Sequence, residues 1–207
     1  LPVTMILGAS ALSFGLLLAI PLGVLAAMRP NTLLDRFALG LAVIGQALPS
    51  FWFALIMIFF FGVALRWLPI TGSDSWLNFV MPSIALGYYI TPAVMRLTRA
   101  GMIEVLSSDY IRTARAKGLR PSVVLFKHAL RNAIIPVVSL AAVQFGFMLG
   151  GSIVIETIFA INGLGQLAWE SILRADLPMM QAIVLVLSCF YIILTLVADI
   201  LNAFLDP

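Results

Sequence analysis

The sequence TMILGASALSFGLLLAIPLGVLAAM fills residues 4–28 and contains no charged side chain. A helix needs about 20 predominantly apolar residues to cross the hydrocarbon core of a membrane, and this run is long enough. It does not alternate apolar and polar residues, as a strand of a membrane barrel would. Four further apolar runs follow, at residues 37–65, 79–94, 133–155 and 179–204. The pattern predicts an all-α, polytopic membrane helical bundle with five spans.

Composition supports the same class of protein. Hydrophobic residues make up 62% of the chain and charged residues 10%, and the mean hydropathy is +1.12, whereas soluble domains carry about 25% charged residues. A soluble fold could not hide this much apolar surface from water. Cys189 and His128 are the sole residues of their types in the sequence, which excludes an intrachain disulfide and a site with several histidine ligands. We therefore expect no metal site.

The distribution of Lys and Arg predicts the orientation. The loops that follow the first and third runs hold ten of these residues, and the other two loops hold two. Cytoplasmic loops carry the excess of positive charge in membrane proteins. We therefore expect Leu1 outside the membrane and Pro207 in the cytoplasm. Because the chain starts on the outer side without Met, we also expect an earlier span to be missing.

Small residues recur at every fourth position of the first run: Ala11, Gly15, Ala19, Gly23 and Ala27. Two glycines repeat the spacing in the fourth run. Stripes of small residues let helix backbones approach closely, which stabilises helix association in lipid. The pattern predicts tight helix packing, with a partner in this chain or in another, at Gly15, Ala19, Gly23, Gly146 and Gly150.

Prolines interrupt the apolar runs at Pro21, Pro49, Pro92 and Pro136. Inside membranes such breaks are tolerated where neighbouring helices or water pair the freed carbonyl groups. The prolines indicate either kinked helices that only pack, which we favour, or hinged helices that line a pathway, as in many transporters.

Few polar side chains lie at the predicted membrane depth: Gln46, Ser50, Ser139 and Gln144. They are weak candidates for a solute pathway, although the two glutamines fit bridges between helices better than contacts with solute. No Asp, Glu, Lys or Arg lies clearly at the middle of a predicted span. Ion and proton relays use ionisable residues at membrane depth, so the pattern argues against a proton-driven carrier.

The basic loop at residues 95–132 is predicted to be structured. An oxygen of Ser108 or Asp109 can accept hydrogen bonds from the first turn of a helix, and the residues that follow favour helix. Gly118 suits the left-handed position after a helix, and Pro121 suits the first turn of the next one. The loop is therefore predicted to be a short helix, a sharp glycine turn and a second helix. Its ends would be anchored at the membrane surface by Arg96, Arg99, Lys127 and Arg131.

Three interpretations of this loop compete. It could lie on anionic lipid, as a basic cytoplasmic loop does. It could bind nucleic acid, which we disfavour because stacking aromatic residues are not interleaved with the basic ones. It could dock in a groove of another protein, since its exposed surface is expected to mix Arg and Lys with Ala114, Ala116 and Leu119.

Residues 109–119, DYIRTARAKGL, and residues 128–136, HALRNAIIP, closely resemble the cytoplasmic EAA loop of permease subunits of ATP-binding cassette importers. The version is that of the dipeptide/oligopeptide/nickel branch, and the resemblance covers essentially the whole chain. Further stretches that resemble this branch are PLGVLAA at 21–27, LPSFW at 48–52, WLPITG at 67–72, RLTR at 96–99, ETIF at 156–159, GLG at 163–165 and DP at 206–207.

The chain departs from the family pattern in three places. The Glu-Ala-Ala of the general motif aligns with residues 112–114, RTA, so only Ala114 and Gly118 match. Asn162 stands where the family usually has Pro, which we expect to loosen the outer loop. The family's first span has no counterpart in this sequence.

The resemblance implies a type I importer permease fold, with one transmembrane permease domain at residues 1–207 and a coupling loop at 96–131. The chain would form part of the path for peptides or similar small solutes across the bacterial inner membrane. Its partners would be a second homologous permease, two cytoplasmic ATPases, a periplasmic or lipoprotein solute-binding protein and lipid, with no nucleic acid. ATP and Mg²⁺ would bind to the ATPases, and no cofactor to this chain. The residues implied in ATPase coupling are Asp109, Tyr110, Arg112, Thr113, Ala114, Arg115, Ala116, Lys117, Gly118 and Leu119.

The sequence has no Gly-rich phosphate loop followed by Lys and Ser or Thr, so we expect ATP hydrolysis in a partner and no enzyme activity here. A passive channel or a membrane assembly factor is the alternative that needs no ATPase. An intramembrane enzyme would need a nucleophile and a base at membrane depth, and the sequence offers no such pair. The external segment at residues 156–178 is either a solvated connection or a scoop that faces the binding protein and the pathway. Which solute is carried does not follow from the sequence.

Overall fold

A computed structural model describes residues 1–205 of the chain, without the side chains of Leu34, Leu41, Ala42, Val43, Asn202, Phe204 and Leu205. The terminal pair Asp206-Pro207, which carries part of the family resemblance and the predicted cytoplasmic end, lies outside the described residues. Within residues 1–205 the regular secondary structure is helical, with no β-strand. The all-α prediction is therefore confirmed.

Long and short helices alternate along the chain. Within residues 1–205 they are α1 (Pro2–Met28), α2 (Leu33–Ala47), α3 (Ser50–Met57), α4 (Leu77–Gly87), α5 (Thr91–Leu106), α6 (Asp109–Ala116), α7 (Pro121–Val123), α8 (Arg131–Ala133), α9 (Ile135–Ile158), α10 (Leu164–Leu173) and α11 (Leu177–Leu205). Two π-helices, Ile58–Ala64 and Val124–Leu130, continue α3 and α7, and a 3-10 turn at Tyr88–Ile90 joins α4 to α5.

Three helices are each long and apolar enough to cross a membrane: α1, α9 and the Leu177–Leu201 part of α11. Two bent pairs qualify when each is taken together. Asp35–Ala47 and Ser50–Ala64 form an angle of 99°, and α4 and α5 form an angle of 62°. Prolines mark both bends, since Pro49 lies in the first gap and Pro92 lies in the first turn of α5. The five apolar runs thus correspond to three long helices and two bent pairs in the described part of the chain.

The helix that contains the third apolar run extends beyond it. The run ends at residue 94, whereas α5 continues to Leu106. Arg96 and Arg99 ended the run in the hydropathy pattern, but both lie on α5. Residues 95–106, the first part of the predicted loop, are therefore helical, since arginine is a good helix former and both side chains have partners on α2.

The helix α1 forms the centre of the bundle and packs against α4, α5 and α9. Its small residues face these neighbours. A side chain built at Gly15 would strike Ile90, and one at Gly23 would strike the carbonyl of Met95, while Ala19 is fully buried in the same stripe. The partner of the stripe is therefore in this chain, at a distance between backbones that only small residues allow.

The two glycines of α9 have different surroundings. A side chain at Gly146 would overlap the ring of Tyr191 on α11, so the two helices are in close contact there. Gly150 is exposed, and a Cβ added to it would meet no atom within 4 Å. Gly150 has no close packing partner within this chain, because a cleft of about 400 Å³ opens between α9 and α11 at this level, and packing against another chain stays a prediction.

Candidate coupling surface and membrane cleft

The helix α6 occupies the middle of the predicted coupling loop. It begins after Ser108, as the sequence predicts, but no side chain caps its first turn. The Ser108 hydroxyl instead donates to the Val105 carbonyl of α5 at 2.6 Å. Asp109 places a negative charge in the first turn, where the helix dipole favours it. The predicted helix is confirmed, and the predicted side-chain cap is wrong because Ser108 bonds to the preceding helix.

The end of α6 is fixed by a glycine turn. Gly118 has a φ of +73°, a left-handed conformation that costs a residue with a Cβ about 1–2 kcal/mol. The Gly118 N–H donates to the Arg115 carbonyl at 3.0 Å, and the Leu119 N–H donates to the Ala114 carbonyl at 3.4 Å. These two bonds form the Schellman motif that ends many helices. Pro121 then starts α7, so the predicted turn between two helices is confirmed.

One face of α6 is buried against the rest of the chain. Ile111 is fully buried and Ala114 is 7% exposed. Both belong to an apolar cluster that includes Val24 of α1, Met102 of α5 and Val124 of the π-helix. Residues three apart lie on the same face of a helix, and this spacing was visible in the sequence. The interpretation of Ala114 as exposed is therefore wrong, and the residue instead fills the contact beneath α6.

The opposite face of α6 and the turn after it are exposed and basic. The exposed residues there are Asp109, Arg112, Thr113, Arg115, Ala116, Lys117, Gly118 and Leu119. Arg112 pairs with Asp109 only at 3.4 Å and at the surface, and such exposed pairs contribute little. The basic side chains are therefore free to meet another molecule.

Tyr110 has a role within the chain. Its hydroxyl accepts a hydrogen bond from the side-chain amide of Asn132 at 2.8 Å and donates to the His128 carbonyl at 3.5 Å. These contacts join α6 to the helical segment that leads into α9. Tyr110 thus holds α6 in place, although its ring is partly exposed.

A cleft of about 700 Å³ lies where the two bent helix pairs meet α9. It brings together three of the four polar residues predicted for a pathway, because Gln46 and Ser50 flank the α2–α3 bend and Gln144 projects from α9. Ser139 is exposed and lies outside the cleft lining. A mostly apolar cleft with a few polar groups is typical of a small-molecule site.

Irregular backbone borders this cleft. The α2–α3 bend places Leu48 and Pro49 in its wall, and the turn between α4 and α5 places Tyr89 and Ile90 there. The hydroxyl of Tyr88 donates to the Leu48 carbonyl, which gives that carbonyl a partner at the bend. Membrane proteins tolerate such backbone where it lines a cavity or is buried in protein. The geometry favours hinged helices along a pathway over helices that only pack.

A buried ion pair joins α2 to α5. The Arg99 guanidinium donates to both oxygens of the Asp35 carboxylate, at 2.6 and 2.7 Å. Asp35 is 2% exposed and also accepts the Asn31 N–H at 2.8 Å. Bidentate arginine–carboxylate contacts have a fixed geometry, so this pair sets how the two helices meet.

The sequence did not predict that these two charges pair. Asp35 begins the first bent helix pair and Arg99 lies in the second. Arg99 is held on a helix face by Asp35, and its anchoring at the membrane surface stays a prediction. The contact was not predictable because its partners are 64 residues apart.

Arg96, one turn before Arg99 on α5, has a different partner. Its two terminal nitrogens each lie 3.2 Å from Oε1 of Gln46, and its side chain is exposed. Gln46 therefore bridges α2 and α5 and also lines the cleft. Arg96 is therefore placed beside the cleft, and its anchoring at the membrane surface stays a prediction.

The predicted external segment begins with a buried carboxylate. Glu156 lies near the end of α9 and is fully buried. Its Oε2 accepts the Gln166 N–H at 3.1 Å in the first turn of α10, where the helix dipole favours negative charge. A side chain at Gly163 would overlap this carboxylate, so the glycine makes room for the contact.

The helix α10 is also tied to α1. The Leu164 N–H donates to the hydroxyl of Thr4 at 2.8 Å, and Thr4 is fully buried. Phe159 and Ile161, which connect α9 to α10, are buried in the main apolar core. The interpretation of this segment as a solvated connection is therefore wrong at its start. The sequence signal for the contact was the position of Glu156 beside a long apolar run, since a carboxylate there needs a partner.

The described residues contain no group of three or more His, Cys, Asp or Glu side chains that could hold a metal ion. The chain instead offers two features. One is the helix α6, which packs on the bundle with one face and exposes basic residues on the other, and the second is the cleft between the bent helix pairs, which contains a few polar groups. The first suits contact with another protein, and the second suits contact with a small solute.

Sequence comparison gives matches along nearly the whole chain. A family model described as binding-protein-dependent transport system inner membrane component matches residues 19–207. The glutathione transport system permease protein GsiC of Pectobacterium atrosepticum is 42% identical over 197 residues, which cover 95% of this chain and 64% of that protein. GsiC of Escherichia coli (strain K12) is 45% identical over 185 residues, which cover 89% and 60%. The chain therefore spans about three fifths of the length of these curated relatives.

Solved structures of transporters are similar in fold. A chain of the MetNI methionine ABC transporter in an inward-facing conformation matches with a TM-score of 0.80 and 19% identity, over 99% of this chain and 94% of that one. A chain of an amino acid ABC transporter crystallised with histidines matches with a TM-score of 0.64 and 18% identity, over 100% and 90%. At these identities the likeness concerns the fold alone, and the fold class predicted from the sequence is confirmed.

Proposed function

Because the chain belongs to the family of binding-protein-dependent transport system inner membrane components, we propose that it is the transmembrane subunit of an ATP-driven importer. The cargo is a peptide or a similar small solute. The names of the relatives support this choice, since they specify glutathione, which is itself a small peptide. The cleft of about 700 Å³ falls in the usual size range of small-molecule sites, roughly 300–1,000 Å³.

The observation that carries the proposal is the way α6 packs, with one face buried against the bundle and the opposite face exposed. Its buried residues, Ile111 and Ala114, pack against α1 and α5, while Arg112, Arg115 and Lys117 remain exposed. A solvated tether would have no buried face and no fixed end. A rigid helix that presents one charged face is suited to sit in a groove on another protein, and here that protein is a cytoplasmic ATPase.

In this proposal the ATPases bind ATP and Mg²⁺ and supply the energy mechanically. Closure of the ATPases displaces α6, and the apolar contact beneath it passes the displacement to the adjoining ends of α1 and α5. The helix α5 also carries the Arg99–Asp35 pair and borders the cleft. Movement of α6 therefore reaches the cleft through one continuous helix, provided that α6 is held stiffly by Gly118 and Tyr110.

The remaining partners follow from the same scheme. The chain lies in the bacterial inner membrane with α6 on the cytoplasmic side, with its first residue outside and its C-terminus inside, as the excess of positive charge around α6 supports. A solute-binding protein delivers the cargo on the outer side, where α10 lies. A second, homologous permease completes the pathway. The poorly buried face of α11, with Leu185, Ile192 and Leu196 exposed, meets this second permease or lipid.

Two variants of Gly118 test the coupling. The importer is purified with its ATPases and reconstituted in liposomes, and solute uptake is measured against ATP hydrolysis. Gly118→Val places a β-branched residue at a φ of +73° and should lower uptake per ATP hydrolysed about tenfold, since roughly 1.4 kcal/mol of strain corresponds to a factor of ten. Gly118→Asn is the matched control, because asparagine tolerates the left-handed region.

The open space around Gly118 means that comparing Gly118→Val with Gly118→Asn tests the backbone conformation of the turn. A Cβ there would meet no atom within 4 Å, so the two variants differ in backbone preference and not in steric overlap. Co-purification of the ATPase with the Gly118→Asn variant and normal coupling are expected. Normal uptake per ATP with Gly118→Val would contradict the assignment of α6 as the coupling helix.

A further inference from the structure

Two arginines on one face of α5 have partners of different charge. Arg99 donates to both oxygens of the buried Asp35 carboxylate. Arg96 donates only to the neutral side-chain oxygen of Gln46, at 3.2 Å from each of its terminal nitrogens. Among the side chains that the structure describes, the ion pairs join Arg99 to Asp35, Arg112 to Asp109 and Arg174 to Glu170, so none of them neutralises Arg96.

Arg96 lies next to the cleft without a carboxylate partner. Its side chain is exposed, and its hydrogen-bond partner Gln46 lines the cleft. Charged residues that face cavities between membrane helices mark the paths of ions and substrates. The positive charge therefore stands beside a cavity large enough for a small solute.

We propose that Arg96 binds the carboxylate of the solute held in this cleft, and that Gln46 is the resting partner which the carboxylate displaces. This inference rests on the proposed import function and adds the chemical group that the cleft recognises. A carboxylate is the natural ligand of a guanidinium, because it accepts two parallel hydrogen bonds with matching geometry. A carboxylate also adds the attraction between opposite charges, which the neutral Gln46 amide lacks, so we expect it to displace that amide.

The rest of the cleft suits the remainder of such a solute. Ser50 and Gln144 offer hydroxyl and amide groups that can pair with peptide N–H and C=O groups, and Tyr89 offers an aromatic surface. Ala93 also lines the cleft and precedes Arg96 by three residues on α5, which places the two on adjacent turns of the same face. A label at residue 93 therefore reports on occupation of the site beside the guanidinium.

The experiment measures protection of a cysteine in the cleft. Ala93→Cys is introduced together with Cys189→Ser, and the permease is purified in complex with its ATPases without the binding protein. The rate of maleimide labelling of residue 93 is measured against a dipeptide with a free carboxylate and against the same dipeptide as its C-terminal amide. We expect the free dipeptide to protect at about tenfold lower concentration than the amide, since a charged hydrogen bond is worth about a factor of ten or more.

Variants then assign this preference to one side chain. Arg96→Gln should abolish the tenfold difference between the two ligands. Arg96→Lys keeps the charge but not the planar guanidinium that donates two parallel hydrogen bonds, so it should keep part of the difference. Gln46→Ala should preserve or increase the preference, because it removes the competing acceptor. Arg174→Gln, at an exposed arginine remote from the cleft, should leave it unchanged.

The outcomes separate this inference from the proposed function. Equal protection by the two ligands, absence of protection by either, or an unchanged preference in Arg96→Gln would overturn the role of Arg96. An Arg96→Gln variant that fails to assemble leaves Arg96→Lys as the deciding variant, and an undiminished preference there would equally overturn it. ATP-driven uptake by the complete importer in the same preparation would then show that the import function stands while the inference fails.

Discussion

Two short helices connect spans in this molecule, and they are held in different ways. The helix α6 rests on apolar residues, with Ile111 and Ala114 buried beneath it. The helix α10 is held through its first turn by polar groups, the carboxylate of Glu156 and the hydroxyl of Thr4. Both helices bury one face, since Gly165, Ala168 and Ser171 of α10 are buried, but α10 also has polar contacts that hold its first turn.

The difference between these two attachments determines how each helix can pass movement to the rest of the bundle. An apolar underside leaves the opposite face of α6 free and passes a push from outside to the helices below. Directional hydrogen bonds hold the start of α10 to α9 and α1, so α10 follows the movements of those helices. The two connections therefore differ in what they can do: α6 can pass on a force from a bound partner, and α10 moves together with α9 and α1.

The largest expected effect breaks the polar attachment of α10. A Cβ at Gly163 would overlap the Glu156 carboxyl group, so Gly163→Ala displaces this buried group and leaves the Gln166 N–H without its acceptor. Overpacking costs about 1–3 kcal/mol and an unpaired buried group about 1–3 kcal/mol, so we expect a loss of about 4 kcal/mol. The thermal midpoint of the purified complex measures it.

A second glycine provides the control for that variant. Gly150→Ala, in a position where a Cβ meets no atom within 4 Å, should be neutral or slightly stabilising, since alanine favours helix. An equal loss of stability in both variants would show that the loss in Gly163→Ala does not arise from the Glu156 contact.

A smaller effect is expected from the apolar attachment of α6. Ile111→Ala removes a fully buried side chain and should cost about 3 kcal/mol, mostly as a loss of order in α6. Uptake per ATP should fall, while the ATPase activity of the complex persists. Ile172→Ala changes the same residue type on α10 at a position that is 48% exposed, and it should alter stability by less than about 1 kcal/mol. Unchanged coupling in Ile111→Ala would refute the idea that α6 transmits force through its underside.

The smallest effect concerns the clamp that Tyr110 makes. Tyr110→Phe removes the hydroxyl that meets Asn132 and the His128 carbonyl, at an expected cost of about 1 kcal/mol. Amide hydrogen exchange in α6 should accelerate about fivefold, as that energy implies. In an Asn132→Ala background the same change should have less effect, because coupled partners are not additive. Additive effects of the two changes would mean that the hydroxyl and the amide act independently.

The elements that the sequence predicts well are those with local causes. The first apolar run at residues 4–28 corresponds to Pro2–Met28, and the turn after α6 follows from Gly118 alone, since only its missing Cβ makes the conformation inexpensive. Hydropathy reports length and not direction, so the 99° bend between α2 and α3 was hidden in one continuous run. Pro49 marked the position of that bend but not its size.

Contacts between distant residues were not predictable. Arg99 and Asp35 looked like loop charges because charged residues ordinarily lie at the surface, and their pairing depends on how α2 crosses α5. Glu156 was placed in an external segment that was either solvated or part of a scoop, and its contact with α10 was not predicted. The cleft was partly anticipated through Gln46, Ser50 and Gln144, but the arginine beside it was not, since its neighbour Gln46 is 50 residues away.

The central claim, that α6 is the surface which the ATPase contacts, is tested most directly by cross-linking. Arg112 on α6 and Arg174 after α10 have equally exposed side chains, at 77% each, so Arg112→Cys and Arg174→Cys form a matched pair in a Cys189→Ser background. In membranes that hold the complete importer, Arg112→Cys should cross-link to an ATPase subunit and Arg174→Cys should not. Cross-linking from both positions, or from neither in an assembled complex, would contradict the account.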